Sequence, residues 1–169
     1  MEKKNELAFY GGSKTIDKQF PWPIFDEAEV NAVVDVVRSG AWANPNCDGL
    51  IENFEKEFAA YCGSKYAITC VNGSVAIRLA LIAAGVKPGD EVIIPPYSFI
   101  ATASLVVEVN CIPVFVDIEP DTYNLNPTEV EKAITPRTKA IIPVHFAGQA
   151  CNMDALMSSA HKHNLIVIE

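Results

Sequence analysis

The chain is short of basic residues, of paired cysteines and of any long apolar run. Its 169 residues carry 13 Lys and Arg against 21 Asp and Glu, for a formal net charge of −8 and a sequence pI near 4.9. No basic cluster occurs beyond Lys3-Lys4. The electrostatic footprint that non-specific nucleic-acid or anionic-membrane binding requires is therefore missing, and neither nucleic acid nor a membrane is expected as a partner. Apolar stretches such as those at 92–96 and 165–168 are far too short to span a bilayer. The opening Met-Glu-Lys-Lys-Asn-Glu is rich in charge and no apolar run of signal-peptide length follows it, so the expected location is the cytoplasm. The cysteines at 47, 62, 70, 111 and 151 are odd in number and form no C-x-x-C. That pattern suggests neither a zinc site nor a redox dithiol, and leaves reduced, mostly buried thiols. Neither G-x-x-x-x-G-K-[ST] nor G-x-G-x-x-G occurs, so no P-loop or dinucleotide fingerprint is present.

What is present has ordinary globular composition. Hydrophobic residues make up 50% and charged residues 20%, too apolar for a disordered chain. Residues 1–25, with Gly11-Gly12 and Pro21-Trp22-Pro23, show no clear period and read as an extended arm. Asp26 reads as the N-cap of a helix that places Val30, Val33, Val34 and Val37 on one face and stops at Gly40. A loop over 40–49 holds Trp42, Asn44, Pro45 and Asn46. A second helix over 50–61 carries Ile51, Phe54, Glu55 and Phe58 at i, i+3, i+4 and i+7 and stops at Gly63. Strands are then expected at 66–71, 91–94, 112–116, 139–144 and 165–168. Between them fall helices at 74–84, at 98–109, from Pro127 with Asn126 as cap, and at 152–163. Continuous Val/Ile strands alternating with helices predict an α/β fold, a parallel sheet with helices on both faces. The expected division is an arm, helix and loop over 1–49, then the α/β part over 50–169.

In such sheets ligands sit where the carboxyl ends of strands lead into helices. Three loops qualify. In Val71-Asn72-Gly73-Ser74-Val75-Ala76, glycine permits a tight turn and the first helical N–H groups can face an anion. Ser74 serves there equally well as a simple N-cap. In Pro95-Pro96-Tyr97-Ser98-Phe99, Phe99 falls in the first turn of the next helix. From there it can stack on a flat ring, although the local sequence alone favours core packing for it. In Pro143-Val144-His145-Phe146-Ala147-Gly148-Gln149, His145 can act as acid, base or hydrogen-bonding support. His161 and His163, two residues apart, do not share a helix face, and no metal site is expected from them.

Taken together, these loops resemble the DegT/DnrJ/StrS sugar aminotransferases, fold-type I enzymes that use pyridoxal 5′-phosphate. The stretches that carry the likeness are T-C-V-N-G-S-V-A, G-V-K-P-G-D-E-V-I-I-P, P-V-F-V-D-I-E-P-D-T-Y-N-L-N-P and I-T-P-R-T-K-A-I-I-P-V-H-F-A-G-Q. Gly11-Gly12, the Phe20-to-Pro23 stretch and the Ser39-to-Trp42 stretch are similar to the branch that includes aminoinositol-forming and aminohydroxybenzoate-forming members. The likeness runs from about residue 7 to 169.

The resemblance implies that the cofactor phosphate rests on Ser74 and the backbone N–H of Val75, with Gly73 making the turn. It implies that Phe99 stacks on the pyridine ring. It also implies a small-molecule amino donor, glutamate or glutamine, a keto-sugar or keto-cyclitol acceptor, and a homodimer. In the family an Asp directly follows the strand that here covers 165–169, and the Schiff-base Lys lies further on. None of the ten lysines of this chain matches that place, so residues 50–169 are expected to be an incomplete cofactor-binding large domain. The alternatives are a non-catalytic fragment, or a deoxysugar dehydratase with His in place of that Lys. In the implied fold the 66–71 strand is separated from the 139–144 strand by two strands of the absent half.

Overall fold

The computed structural model describes residues 7–16, 18, 21–42 and 49–169. Asn44, Pro45, Asn46, Cys47 and Phe20 lie outside them. The chain divides into two compact units, Met1–Ile68 and Thr69–Glu169.

In the first unit local signals make the helices. Helix α1 spans Glu27–Ser39 and opens on a capping box. The Asp26 carboxylate accepts from the Ala28 N–H at 2.6 Å, and the Glu29 carboxylate accepts from the Asp26 N–H at 2.8 Å. Gly40 closes it in the left-handed conformation. Helix α2 spans Leu50–Cys62 and stacks Phe54 on Phe58, one turn apart, with centroids 5.6 Å apart. Between them these helices bury a single residue, Ala59. The Val30, Val33 and Val37 stripe of α1 stays exposed. The described part of the arm contains a short 3-10 turn at Ala8–Tyr10.

The expected strand at 66–71 does not form. These residues lie in no described strand, and Ile68 and Val71 are 83% and 80% exposed. A strand exists only by pairing, and no described strand lies alongside this one, so its β-branched content has nothing to act on.

The second unit is a four-stranded sheet. Its elements are α3 (Gly73–Ala83), β1 (Glu91–Ile94), α4 (Ala101–Glu108), β2 (Ile112–Phe115), α5 (Pro127–Ala133), β3 (Thr138–Ile141), α6 (Met153–His163) and β4 (Ile166–Val167). The order is β2-β1-β3-β4 and every pairing is parallel, with Ile93 opposite Val114 and Ile141 and the latter opposite Val167. The period of two explains the two cores. Val92, Ile94 and Ala140 pack with Leu81 of α3 and Val106 of α4 on one face. Ile93 and Ile141 pack with Val130 of α5 and Leu156 of α6 on the other. Burial on both faces is why β1 reads as an unbroken apolar run.

Several boundaries move. Strand β3 starts at Thr138 and ends at Ile141 instead of covering 139–144. Pro143, which has no N–H to donate, stands just beyond it. Helix α4 starts at Ala101 instead of 98, because the chain first bends after Pro95-Pro96. Strand β4 lies directly beside β3, so the sheet margin on that side belongs to β4 and not to the 139–144 strand. Of the described cysteines, Cys111 and Cys151 are buried but Cys62 and Cys70 are exposed, which corrects the expectation of mostly buried thiols. Burial pushes the thiols of Cys111 and Cys151 up from their ordinary range, so both stay protonated at neutral pH.

The amino edge of the sheet is tied by Glu91, whose side chain is buried. Its carboxylate accepts from the Thr135 hydroxyl, from Arg137 Nε at 2.9 Å and from the Thr138 hydroxyl at 3.3 Å. The Thr135 bond first, then the Arg137 bond and charge, hold the Glu91 carboxyl below its usual value against the cost of burial.

Candidate functional site

The opposite edge, where the strands end, gathers the loops singled out in the sequence. Helix α3 runs down to the Gly85–Asp90 turn that feeds the amino end of β1, so its own first turn lies at the carboxyl edge. Asn72, in extended conformation, is the N-cap, and its side-chain oxygen accepts from the Val75 N–H at 3.0 Å. The capping alternative for Ser74 therefore falls: Ser74 is the second residue of the helix. Among the described residues its hydroxyl and the N–H groups of Gly73 and Ser74 have no partner. Gly73 does not make the turn either. Its φ is not positive, and a Cβ built on it would meet nothing within 4 Å. Asn72 makes the entry. The first turn holds no acidic residue, and three free donors at the positive end of an 11-residue helix suit a dianion. The Val75 N–H, expected to be free for such a ligand, is already satisfied.

Phe99 precedes α4 and does not lie in its first turn. Its carbonyl accepts from the Thr102 N–H at 3.0 Å, and its ring is 75% exposed. Within this chain Phe99 is not packed in the core. Ser74 and Phe99 stand on the same edge, but no hydrogen bond or ring contact joins them.

For His145 the structure selects one role from three. Its Nδ1 accepts from the Cys151 N–H at 3.0 Å, so that nitrogen carries no proton. The ring proton is on Nε2, which donates to the Glu169 carboxylate at 2.8 Å. With both nitrogens occupied the ring is hydrogen-bonding support. His163, at the end of α6, bonds Glu131 at 2.9 Å.

Two groups at this edge had no signal in the sequence. Asn124, 1% exposed, donates to the carbonyls of Gln149 and Ala150 at 3.0 and 3.1 Å and accepts from the Phe146 N–H at 2.9 Å. An Asn in a polar stretch reads as a turn former, and nothing local marks it as buried. Tyr97, Tyr123 and Phe146, from the loops after β1, β2 and β3, form a trio with ring centroids 4.7–5.8 Å apart. Residues so far apart in sequence meet only once the sheet order is known.

Comparison with known proteins points to one family. Residues 23–169 match the family model described as the DegT/DnrJ/EryC1/StrS aminotransferase family. GDP-perosamine synthase of Caulobacter vibrioides is 54% identical over 120 residues, 71% of this chain and 32% of that protein. L-glutamine:scyllo-inosose aminotransferase of Streptomyces griseus is 39% identical over 98% of this chain and 40% of its own length. Among solved structures, NtdA from Bacillus subtilis with bound cofactor PMP superposes with a TM-score of 0.79 at 38% identity, covering 85% of this chain and 32% of that one. The chain thus spans between about a third and two fifths of the length of these relatives. With the family model matched from residue 23 to the last residue and the sheet superposing on an aminotransferase-family fold, the chain belongs to the DegT/DnrJ/EryC1/StrS aminotransferase family.

Proposed function

We propose that this chain is the amino-terminal part of a pyridoxal 5′-phosphate-dependent aminotransferase. The whole protein moves an amino group from glutamate or glutamine to a keto-sugar, keto-cyclitol or related ketone, and works as a cytoplasmic homodimer. Residues 50–169 supply part of its cofactor-binding domain. The observation that carries this reading is the start of α3, where the Gly73 and Ser74 N–H groups and the Ser74 hydroxyl stand free at the carboxyl edge that also exposes Phe99. The relatives support the acceptor and donor classes through a GDP-perosamine synthase and an L-glutamine:scyllo-inosose aminotransferase. A structural relative with bound PMP supports the cofactor.

The donor set fits a phosphate dianion, since all its members are N–H or O–H groups. When bound, the cofactor supplies an electron sink through which an amino group passes between carbon skeletons. Gly73 and Ser74 would hold the phosphate oxygens, and the Val75 N–H would join them only as the Asn72 side chain releases it. Phe99 would cover one face of the ring and exclude water from it. His145, with neither nitrogen free, moves no proton; it holds Glu169. The test is titration of the full-length protein with pyridoxamine 5′-phosphate, which binds without forming a bond to lysine. Ser74→Ala should weaken binding by about 1–2 kcal/mol, one charge-assisted hydrogen bond. Phe99→Ala should weaken it while leaving the melting temperature unchanged. Wild-type affinity in both variants would overturn the reading.

A further inference from the structure

The loop that follows β3 is tied down far more tightly than its exposed position calls for. Asn124 holds it from beneath through three hydrogen bonds. The Cys151 thiol donates to the Val144 carbonyl at 3.3 Å, and the Cys151 N–H donates to His145 Nδ1. Ala147 and Gly148 take positive φ, 52° and 86°, to close the turn. Of these bonds, the one from the Cys151 N–H reaches the His145 ring, and the others fix the backbone on either side of it.

Strand β4 needs such a tie. It has two residues, pairs with β3 only at Ala140–Ile166 and Ile141–Val167, and adds one bond from the Ile168 N–H to the Ile141 carbonyl at 3.0 Å. A ladder that short fixes direction poorly, and strand ends with few bonds open first. Beyond Ile168 the next tie between the two segments is His145 Nε2 to Glu169 at 2.8 Å.

We propose that His145 is a positioning residue of the carboxyl edge: locked in the Nε2–H form by the Cys151 N–H, it aims Glu169 and holds the outgoing end of β4. The lock is directional. A flipped ring would present C–H groups to both partners and lose both bonds. The arrangement is that of a carbonyl- or amide-oriented histidine acting on a carboxylate, a way of passing order from a rigid loop to a site group. The part of the proposal that concerns the cofactor rests on the function proposed above.

The experiment uses the full-length protein with three readouts. Long-range ¹H–¹⁵N spectra of ¹⁵N-histidine-labelled protein, assigned by the loss of signals in His145→Phe, should show the Nε2–H form; an Nδ1–H or averaged pattern overturns the proposal. Hydrogen exchange of the 164–169 segment should speed up by about tenfold or more in His145→Phe, and exchange of β1 should not change. His145→Gln, which keeps an acceptor and a donor on one side chain, should restore much of the protection. Equal exchange in wild type and His145→Phe, or global acceleration in both variants, overturns it. Pyridoxamine 5′-phosphate affinity should fall several-fold in His145→Phe and recover in His145→Gln; affinity unchanged in His145→Phe overturns the proposal. Failure of the wild type itself to bind this ligand refutes the function proposed above, and the spectra and exchange then decide on His145.

Discussion

Units Met1–Ile68 and Thr69–Glu169 both contain capped helices of about three turns or more, α1 in the first and α3 and α6 in the second, yet they bury their apolar faces to opposite extents. In the second unit β1 is wholly buried, and Leu81, Val106, Val130 and Leu156 reach it from helices on both sides. In the first, a capping box and left-handed glycines define α1 and α2 sharply, and among the described residues only Ala59 is buried. The difference separates two things that sequence patterns run together. Caps and periodicity define an element; only a surface laid against it makes a core. A lone amphipathic helix is marginal in water, because most helical stability in proteins comes from packing.

The largest expected contrast is between core substitutions. Leu156→Ala, in the fully buried centre of one core, should destabilise the second unit by about 2–5 kcal/mol in chemical denaturation. Phe54→Ala in α2, whose ring is half exposed, should cost this chain less than about 1 kcal/mol. Equal losses would break the comparison. A loss for Phe54→Ala that is large only in the full-length protein would sharpen it, by showing that residues outside this chain cover α2.

Next comes Glu91→Gln, expected to cost about 1–3 kcal/mol because Thr135, Arg137 and Thr138 lose their charged acceptor. The sign with pH follows from the lowered carboxyl value. The stabilisation is complete above the ordinary carboxylate value of 4.5 and is lost as pH falls through the lower folded value. Urea midpoints measured against pH should therefore fall less steeply in acid for the variant than for the wild type.

A smaller effect, and one confined to the first unit, is expected from Asp26→Ala. Losing the α1 cap costs about 1 kcal/mol. Amide exchange should rise along α1 and stay constant in β1 and β3; a rise in both would show that the units unfold together.

The smallest effect belongs to Glu131. Bonds from His163, then Lys162 and Ser159, lower its carboxyl to about 2. The stabilisation it adds should be present above 4.5 and disappear between 4.5 and about 2. Glu131→Gln should lower stability slightly above pH 4.5, since the group is solvent-screened, and converge with the wild type as pH falls towards about 2.

Much of this architecture was legible in the residues. Asp26 and Asn126 were readable as caps because capping is local chemistry. The alternation of Val/Ile runs with helices was enough to establish a parallel sheet with covered faces. Misreadings arose wherever the decisive partner was distant in sequence. The 66–71 segment has strand chemistry but no described neighbour. Ser74 was left open between cap and anion donor, although Asn72, two residues before it, is as good a capping residue. Phe99 looked like core because an aromatic in an apolar stretch carries no mark of the side it will face. Asn124 and the Tyr97–Tyr123–Phe146 trio were invisible for the same reason, since each depends on which strands are neighbours.

The N-cap of α3 has a consequence for how the protein ages. Asn72 is followed by Gly73, and glycine leaves its own N–H unobstructed for attack on the preceding side-chain carbonyl, the ring closure that begins deamidation. While the cap is made, the Asn72 oxygen is held by the Val75 N–H, so the clock should run mainly in molecules whose first α3 turn has opened. One product, an ordinary aspartate in place of Asn72, still caps the helix and even favours its positive end. It also places a full negative charge where the free N–H groups face outward, turning an anion-attracting end into an anion-repelling one. The other product, an isoaspartyl linkage, adds a backbone carbon and breaks the cap. Old preparations should therefore resolve on ion exchange into a more acidic form that melts like fresh protein but has lost affinity for phosphate, and a second form that has lost both.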